Sequence, residues 1–134
     1  MKNYFLLLLL IVVVGSCKTT NSKIKEHVSG SDSVAINYFT GDGKMDTVIA
    51  VKIIRDKKII AQLVDLIAAN KQSDINKCGY DGSLHFFKNN AVIQDIDFRM
   101  NDVNCMQFRF SQDGELAATV LSPEAKQLLE SVRK

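Results

Sequence analysis

Apolar and polar positions follow three different regimes along the chain. Residues 4–14 (Tyr-Phe-Leu-Leu-Leu-Leu-Leu-Ile-Val-Val-Val) form an unbroken apolar run of 11 residues just after Lys2. As a helix this run spans about 16 Å, near half of a ~30 Å hydrocarbon core. It is too short for a permanent span and matches the hydrophobic region of a cleaved export signal. Residues 18–33 are polar, with Ile24 and Val28 standing alone and no sustained period. That pattern predicts a flexible spacer. Residues 34–134 then carry the periods of a folded domain.

Within that domain, residues 34–39 (Val-Ala-Ile-Asn-Tyr-Phe) predict a strand, and Gly41-Asp42-Gly43-Lys44 a turn. Residues 47–54 are rich in β-branched side chains, with Ile49, Val51 and Ile53 on one face, and complete a hairpin. Asp56 can cap a helix starting at Lys57. Ile59, Ile60, Leu63, Leu66 and Ile67 fall at helical spacing, and Asn70 closes the helix. A polar loop carrying Cys78 follows. Four strands come next, over residues 83–88, 92–99, 105–111 and 115–121. Asn89-Asn90 and Asp113-Gly114 are turn signals, because these residues tolerate positive φ. Ser122-Pro123-Glu124 opens a last helix with Ala125, Leu128, Leu129 and Val132 as its apolar stripe. The order is ββ-α-ββββ-α. The expected fold class is α+β, a curved antiparallel sheet packed against two helices in two layers.

Composition and charge narrow the function classes. Lys and Arg number 17 against 15 Asp and Glu, and residues 1–16 hold Lys2 and no acid, which leaves 16 against 15. Net charge therefore does not drive nucleic-acid binding, and no nucleic-acid partner is expected. The length of residues 34–134 suits a single domain.

Val14-Gly15-Ser16-Cys17 follows the apolar run directly. With that run it resembles the signal peptide of bacterial lipoproteins, in which an aliphatic residue and two small residues precede a cysteine. The resemblance covers residues 1–17. It implies cleavage after Ser16, a diacylglyceryl group on the Cys17 sulfur and acylation of its new amino group. Two or three acyl chains hold a protein on a bilayer stably, at about 0.8 kcal/mol per buried CH₂. In this family a residue other than Asp after the cysteine, here Lys18, implies the outer membrane facing the periplasm. Exposure on the cell surface is the alternative. The expected division is thus a signal peptide at 1–16, a lipidated Cys17 with its tether at 17–33, and a domain at 34–134.

With Cys17 assigned to lipid, Cys78 and Cys105 remain. Export places them in an oxidising compartment, which predicts a disulfide between them. Two buried free thiols, or a redox pair, are the competing readings. Closing this loop stabilises by about 3 kcal/mol in the chain-entropy view.

Catalytic patterns are weak. His85 lies in a strand without a recognisable nucleophile motif, and reads as a half-exposed strand residue. Asp42-Gly43-Lys44-Met45-Asp46 lacks the third carboxylate and closing Glu of a calcium loop, and reads as a turn. Asp95 and Asp97 share a strand face about 7 Å apart, in the range of paired glycosidase carboxylates. A solvated face is the better reading. No enzyme activity, cofactor or metal is expected. If the turn between the strands of residues 92–99 and 105–111 centres on Asp102, Asp97 lies opposite Gln107 and Asp95 opposite Arg109. Asp95, Asp97, Arg99, Gln107 and Arg109 then form a wet, charged face that is the candidate protein-binding surface. The layout is similar in outline to small bacterial periplasmic inhibitor proteins, which implies a protein partner. An adaptor in an outer-membrane or secretion assembly is the alternative.

Overall fold

The computed structural model describes residues 20–69 and 72–134. The signal peptide, Val14-Gly15-Ser16-Cys17 and Asn70 lie outside the described residues. The chain runs α1 (Thr20–Val28), β1 (Ser33–Phe39), β2 (Val48–Ile54), α2 (Lys57–Ala69), β3 (Gly82–Lys88), β4 (Ala91–Arg99), β5 (Gln107–Gln112), β6 (Glu115–Val120) and α3 (Pro123–Arg133). The six strands form one antiparallel sheet in the order β2-β1-β3-β4-β5-β6. The expected α+β sandwich is present, with three helices among the described residues instead of the two expected.

Local chemistry sets most element ends. Asp56 Oδ1 accepts from Lys58 N at 2.8 Å and starts α2. Ser122 Oγ accepts from Ala125 N at 3.2 Å, with Pro123 in the first turn of α3. Asn89 and Asn90 have φ of 51° and 64°, and Asp113 and Gly114 have 53° and 79°. Both pairs make the tight turns expected of them.

All three helices lie on one side of the sheet. Val34, Ile36, Tyr38, Leu84, Phe86 and Phe98 point toward them and are fully buried. Ile60, Leu63, Val64 and Ile67 supply the α2 stripe, and Ala125 and Leu129 that of α3. Tyr38 Oη donates to Leu129 O at 2.5 Å and ties the sheet to α3. Burial pushes this phenol up to about 12, against the lowering influence of Arg133.

Helix α1 corrects the expected spacer. Ile24 and Val28, four residues apart, form a single-sided stripe that is buried to 1% and 0% exposure in the common core. Around them, Asn21 Nδ2 donates to Ala68 O at 2.7 Å, and Lys25 pairs with Asp65 at 2.8 Å. Two apolar residues are too few to show a period in sequence, yet they suffice when α2 offers a groove. The folded unit therefore includes residues 20–33 and does not start at residue 34.

Cys78 and Cys105 are joined, with Cα atoms 6.2 Å apart. The bridge ties the long connection after α2 to the end of the β4–β5 connection, just before β5.

Ile24→Ala tests the domain boundary. As a core position it should lose about 2–4 kcal/mol of unfolding free energy in urea. A spacer residue would leave the midpoint where it was.

Candidate functional site

Among the described residues, the second side of the sheet carries no helix. Its charged centre depends on a bulge. Phe87 pairs with Val92, and Phe86 pairs with Gln94, so Ile93 is the extra residue. Beyond it, His85 pairs with Asp95 and Ser83 with Asp97. On the next ladder Asp97 lies opposite Arg109, and Arg99 opposite Gln107. The expected pairing of Asp97 with Gln107 and Asp95 with Arg109 is therefore shifted by two residues. The turn centres on Val103, one residue beyond Asp102. Asp102 Oδ1 accepts from Asn104 N at 3.0 Å and shapes this longer connection.

Three of the five face residues come together. Asp95, Asp97 and Arg109 border a shallow recess of about 480 Å³, with Tyr80, Val92 and Leu116. The Arg109 guanidinium lies 4.4 Å from the centroid of the Tyr80 ring. Burial pushes the Asp97 carboxyl up, with the Asp95 charge adding to the rise and His85 partly opposing it. Tyr80 Oη and Arg109 Nε are buried with no hydrogen-bond partner.

The other two leave the wet face. Arg99 and Gln107 have the expected parity, but the connection from α2 to β3 folds over them. Gln107 Nε2 donates to Asn76 O at 3.2 Å, and Gln107 is 1% exposed. Arg99 Nη1 donates to the buried Asp81 carboxylate at 2.6 Å. Both are structural. Strand parity gives the side of the sheet, and it cannot give a loop that covers that side.

His85 is better connected than its sequence context implies. Its Nδ1 lies 2.6 Å from Asp95 Oδ1, and its Nε2 lies 3.1 Å from both Ser83 Oγ and Asn37 Nδ2. Assigned from these partners, Nδ1 carries the proton toward Asp95 and Nε2 accepts. The connectivity is that of a serine, histidine and carboxylate relay. Its setting is different. Ser83 is 6% exposed within a central strand whose neighbours on both sides are paired, and the recess lies on the Asp97–Arg109 side. A free pair of N–H donors for an oxyanion does not fit such a ladder. The spacing of Ser83 and His85, two apart on one strand, was legible in sequence. The approach of Asp95 required the bulge.

The Asp42 loop folds as a turn. Asp42 Oδ1 accepts from Thr40 Oγ1 at 2.7 Å and from Lys44 N at 2.9 Å. The Thr40 hydroxyl, then the Lys44 amide, hold its carboxyl below the usual carboxylate range. Cys78, Asp102 and Cys105 place ligand atoms within 4.8 Å of one another, but the two sulfurs are bonded to each other and hold no charge for a metal.

Comparison with protein-family models, with curated proteins and with solved structures returned no match.

Asp97 makes stability depend on pH. Its raised folded value means that its contribution is fully present below the ordinary value of 3.8 and is lost as pH rises through the folded value. Asp97→Asn should therefore be more stable than wild type at neutral pH. The two should converge as pH falls toward 3.8 in urea titrations. A difference independent of pH would contradict this reading of Asp97.

Proposed function

We propose that this chain is a lipid-anchored protein of the bacterial cell envelope whose domain binds another protein through the open side of its sheet, without catalysis. The observation that supports the binding reading is the recess itself. A rigid sheet presents Asp95, Asp97 and Arg109, the last stacked on the buried Tyr80 ring of the neighbouring loop, on a side that no helix of the described residues covers. Charged and aromatic groups on a fixed scaffold favour protein recognition, because little side-chain freedom is lost on binding. The burial of Ser83 and the pairing of β3 on both sides, which leaves no free pair of N–H donors beside it, favour binding over acyl transfer.

The anchor reading rests on residues 1–17. It gains a geometric consequence from α1. If Cys17 carries the lipid, Lys18 and Thr19 alone separate it from a helix that begins at Thr20. At about 3.5 Å per residue, the folded unit then stands within roughly 10 Å of the anchor. Such a short link favours a partner that is itself at the membrane. This supports the adaptor reading over capture of a freely diffusing target, and it sits best with the periplasmic side of the outer membrane.

The test uses the full chain in its membrane. Labelled palmitate should mark wild type and not Cys17→Ala. Crosslinking and affinity capture should recover a partner from wild type, and Asp95→Arg should recover about tenfold less, which corresponds to about 1.4 kcal/mol. Asp95 is exposed, and an unchanged thermal midpoint in Asp95→Arg separates lost binding from the lost His85 contact, whereas Lys126→Glu on α3 should leave capture intact. Unlabelled wild type would overturn the anchor. Equal capture by Asp95→Arg would overturn the binding face.

A further inference from the structure

The recess on the open side is bordered by two acids and one base, and the base is engaged elsewhere. Asp97 lies opposite Arg109 on the β4–β5 ladder. The Arg109 guanidinium, however, stacks on the Tyr80 ring, 4.4 Å from its centroid, and its Nη1 donates to Asn76 O at 3.5 Å. Asp95 meets His85 Nδ1 at 2.6 Å. Among the described residues, no lysine or arginine forms an ion pair with Asp95 or Asp97. Asp97 is half-buried, and burial together with the Asp95 charge pushes its carboxyl up. A half-buried carboxylate without a counter-charge is unfavourable, and a cation brought from outside offsets both causes.

Two further features accompany the carboxylates. Tyr80 borders the same recess and is only 6% exposed, and its hydroxyl has no hydrogen-bond partner. Buried hydroxyls are normally paired, so this one has an acceptor position for a donor that enters beside it. The rim is apolar. Val92 and Leu116 border the recess and are 48% and 51% exposed. Together these groups suit an aliphatic stem that ends in a cationic, hydrogen-donating head.

Building on the binding reading of the open side, we propose that the recess receives a lysine or arginine side chain of the partner protein, its stem along Val92 and Leu116 and its head against Asp95 and Asp97. Lysine and arginine bury their methylene stems on apolar surface while the charged head meets a polar group. Contacts of an ammonium or guanidinium with carboxylates are charge-assisted and stronger than neutral hydrogen bonds. Charge complementarity excludes the opposite choice. An acidic partner residue would meet two carboxylates and an arginine that is already engaged. An uncharged apolar residue would bury Asp97 further and supply no counter-charge.

The test titrates the full chain in lipid nanodiscs with n-butylammonium and n-propylguanidinium, which reproduce the two side chains from Cβ outward. Ionic strength is held constant, and binding is followed by NMR shifts. Shifts should centre on residues 92–97, 109 and 116. The Asp97 carboxyl carbon should titrate at lower pH with the cation than without it, because a cation favours the charged form. Asp95→Asn and Asp97→Asn, with thermal midpoints showing them folded, should each bind about fivefold more weakly. Methylammonium, which lacks the stem, should bind more weakly than n-butylammonium, and n-butanol, which lacks the charge, should leave the Asp97 titration where it was.

No shift at the recess with either cation would overturn the proposal. So would equal recess shifts from n-butanol, or undiminished binding in both Asp95→Asn and Asp97→Asn. The capture experiment with Asp95→Arg separates this failure from a failure of the binding face. If the cations do not bind while Asp95→Arg still loses its partner, the face stands and the basic side chain is ruled out. If Asp95→Arg captures as well as wild type, the face itself is ruled out, and the basic side chain with it.

Discussion

A single buried carboxylate organises one end of the sheet. Asp81 accepts from Arg99 Nη1 at 2.6 Å, from Met100 N at 2.7 Å and from Asn101 N at 2.8 Å. Its own N–H donates to Phe98 O, and its C=O accepts from Phe39 N, each at 2.8 Å. One residue thereby ties the end of β1, the end of β4, the β4–β5 connection and the connection from α2. A charge taken out of water needs such full satisfaction, since isolation costs several kcal/mol. The next residue tightens the junction. A Cβ on Gly82 would stand 2.3 Å from Asn37 O and from the Phe98 ring, so only glycine fits there. The Cys78–Cys105 bond closes the same end covalently.

The open side follows from that junction. Residues 76–80 are held over β5, which buries Gln107 and sets Tyr80 against Arg109. Farther along, the ladder leaves Asp95 exposed and Asp97 half-buried beside His85. The recess is therefore the remainder of a charged strand face after the loop has covered one end. Tyr80, a loop residue, becomes part of the recess wall only because Asp81 fixes its neighbour. A binding surface built this way is rigid at its base, and its specificity lies in a few side chains.

What was legible in the sequence was local. The Asn89-Asn90 and Asp113-Gly114 turns, the Asp56 and Ser122 caps and the alternation of β4 and β5 each depend on a few neighbouring residues, and each appears where expected. What was hidden was non-local. The α1 stripe of Ile24 and Val28 has meaning only beside α2. The Ile93 bulge shifts β3 against β4 and delivers Asp95 to His85, although Asn89-Asn90 alone implies an unshifted ladder. The cover over Arg99 and Gln107 comes from residues 76–82, far from β5 in the chain. Of the five charged-face candidates, Asp95, Asp97 and Arg109 border the recess on the side of the sheet that parity implies, while Arg99 and Gln107 are covered by packing that parity does not encode. The pairing of Cys78 with Cys105 followed from counting alone, once Cys17 was set aside by its resemblance to a lipid-bearing cysteine.

The central claim is that Asp81 holds the end of the sheet on which the recess is built. Asp81→Asn tests it with little change of shape. It removes the charge that compensates Arg99 and puts an N–H donor against either Arg99 Nη1 or both the Met100 and Asn101 amides. Equilibrium unfolding in urea should show a loss of about 3–5 kcal/mol, the range for breaking a buried ion pair. The Met100 and Asn101 amides should exchange hydrogen faster than those of the α2–α3 core. A midpoint within about 0.5 kcal/mol of wild type, the scatter expected of an ordinary surface substitution, would contradict it.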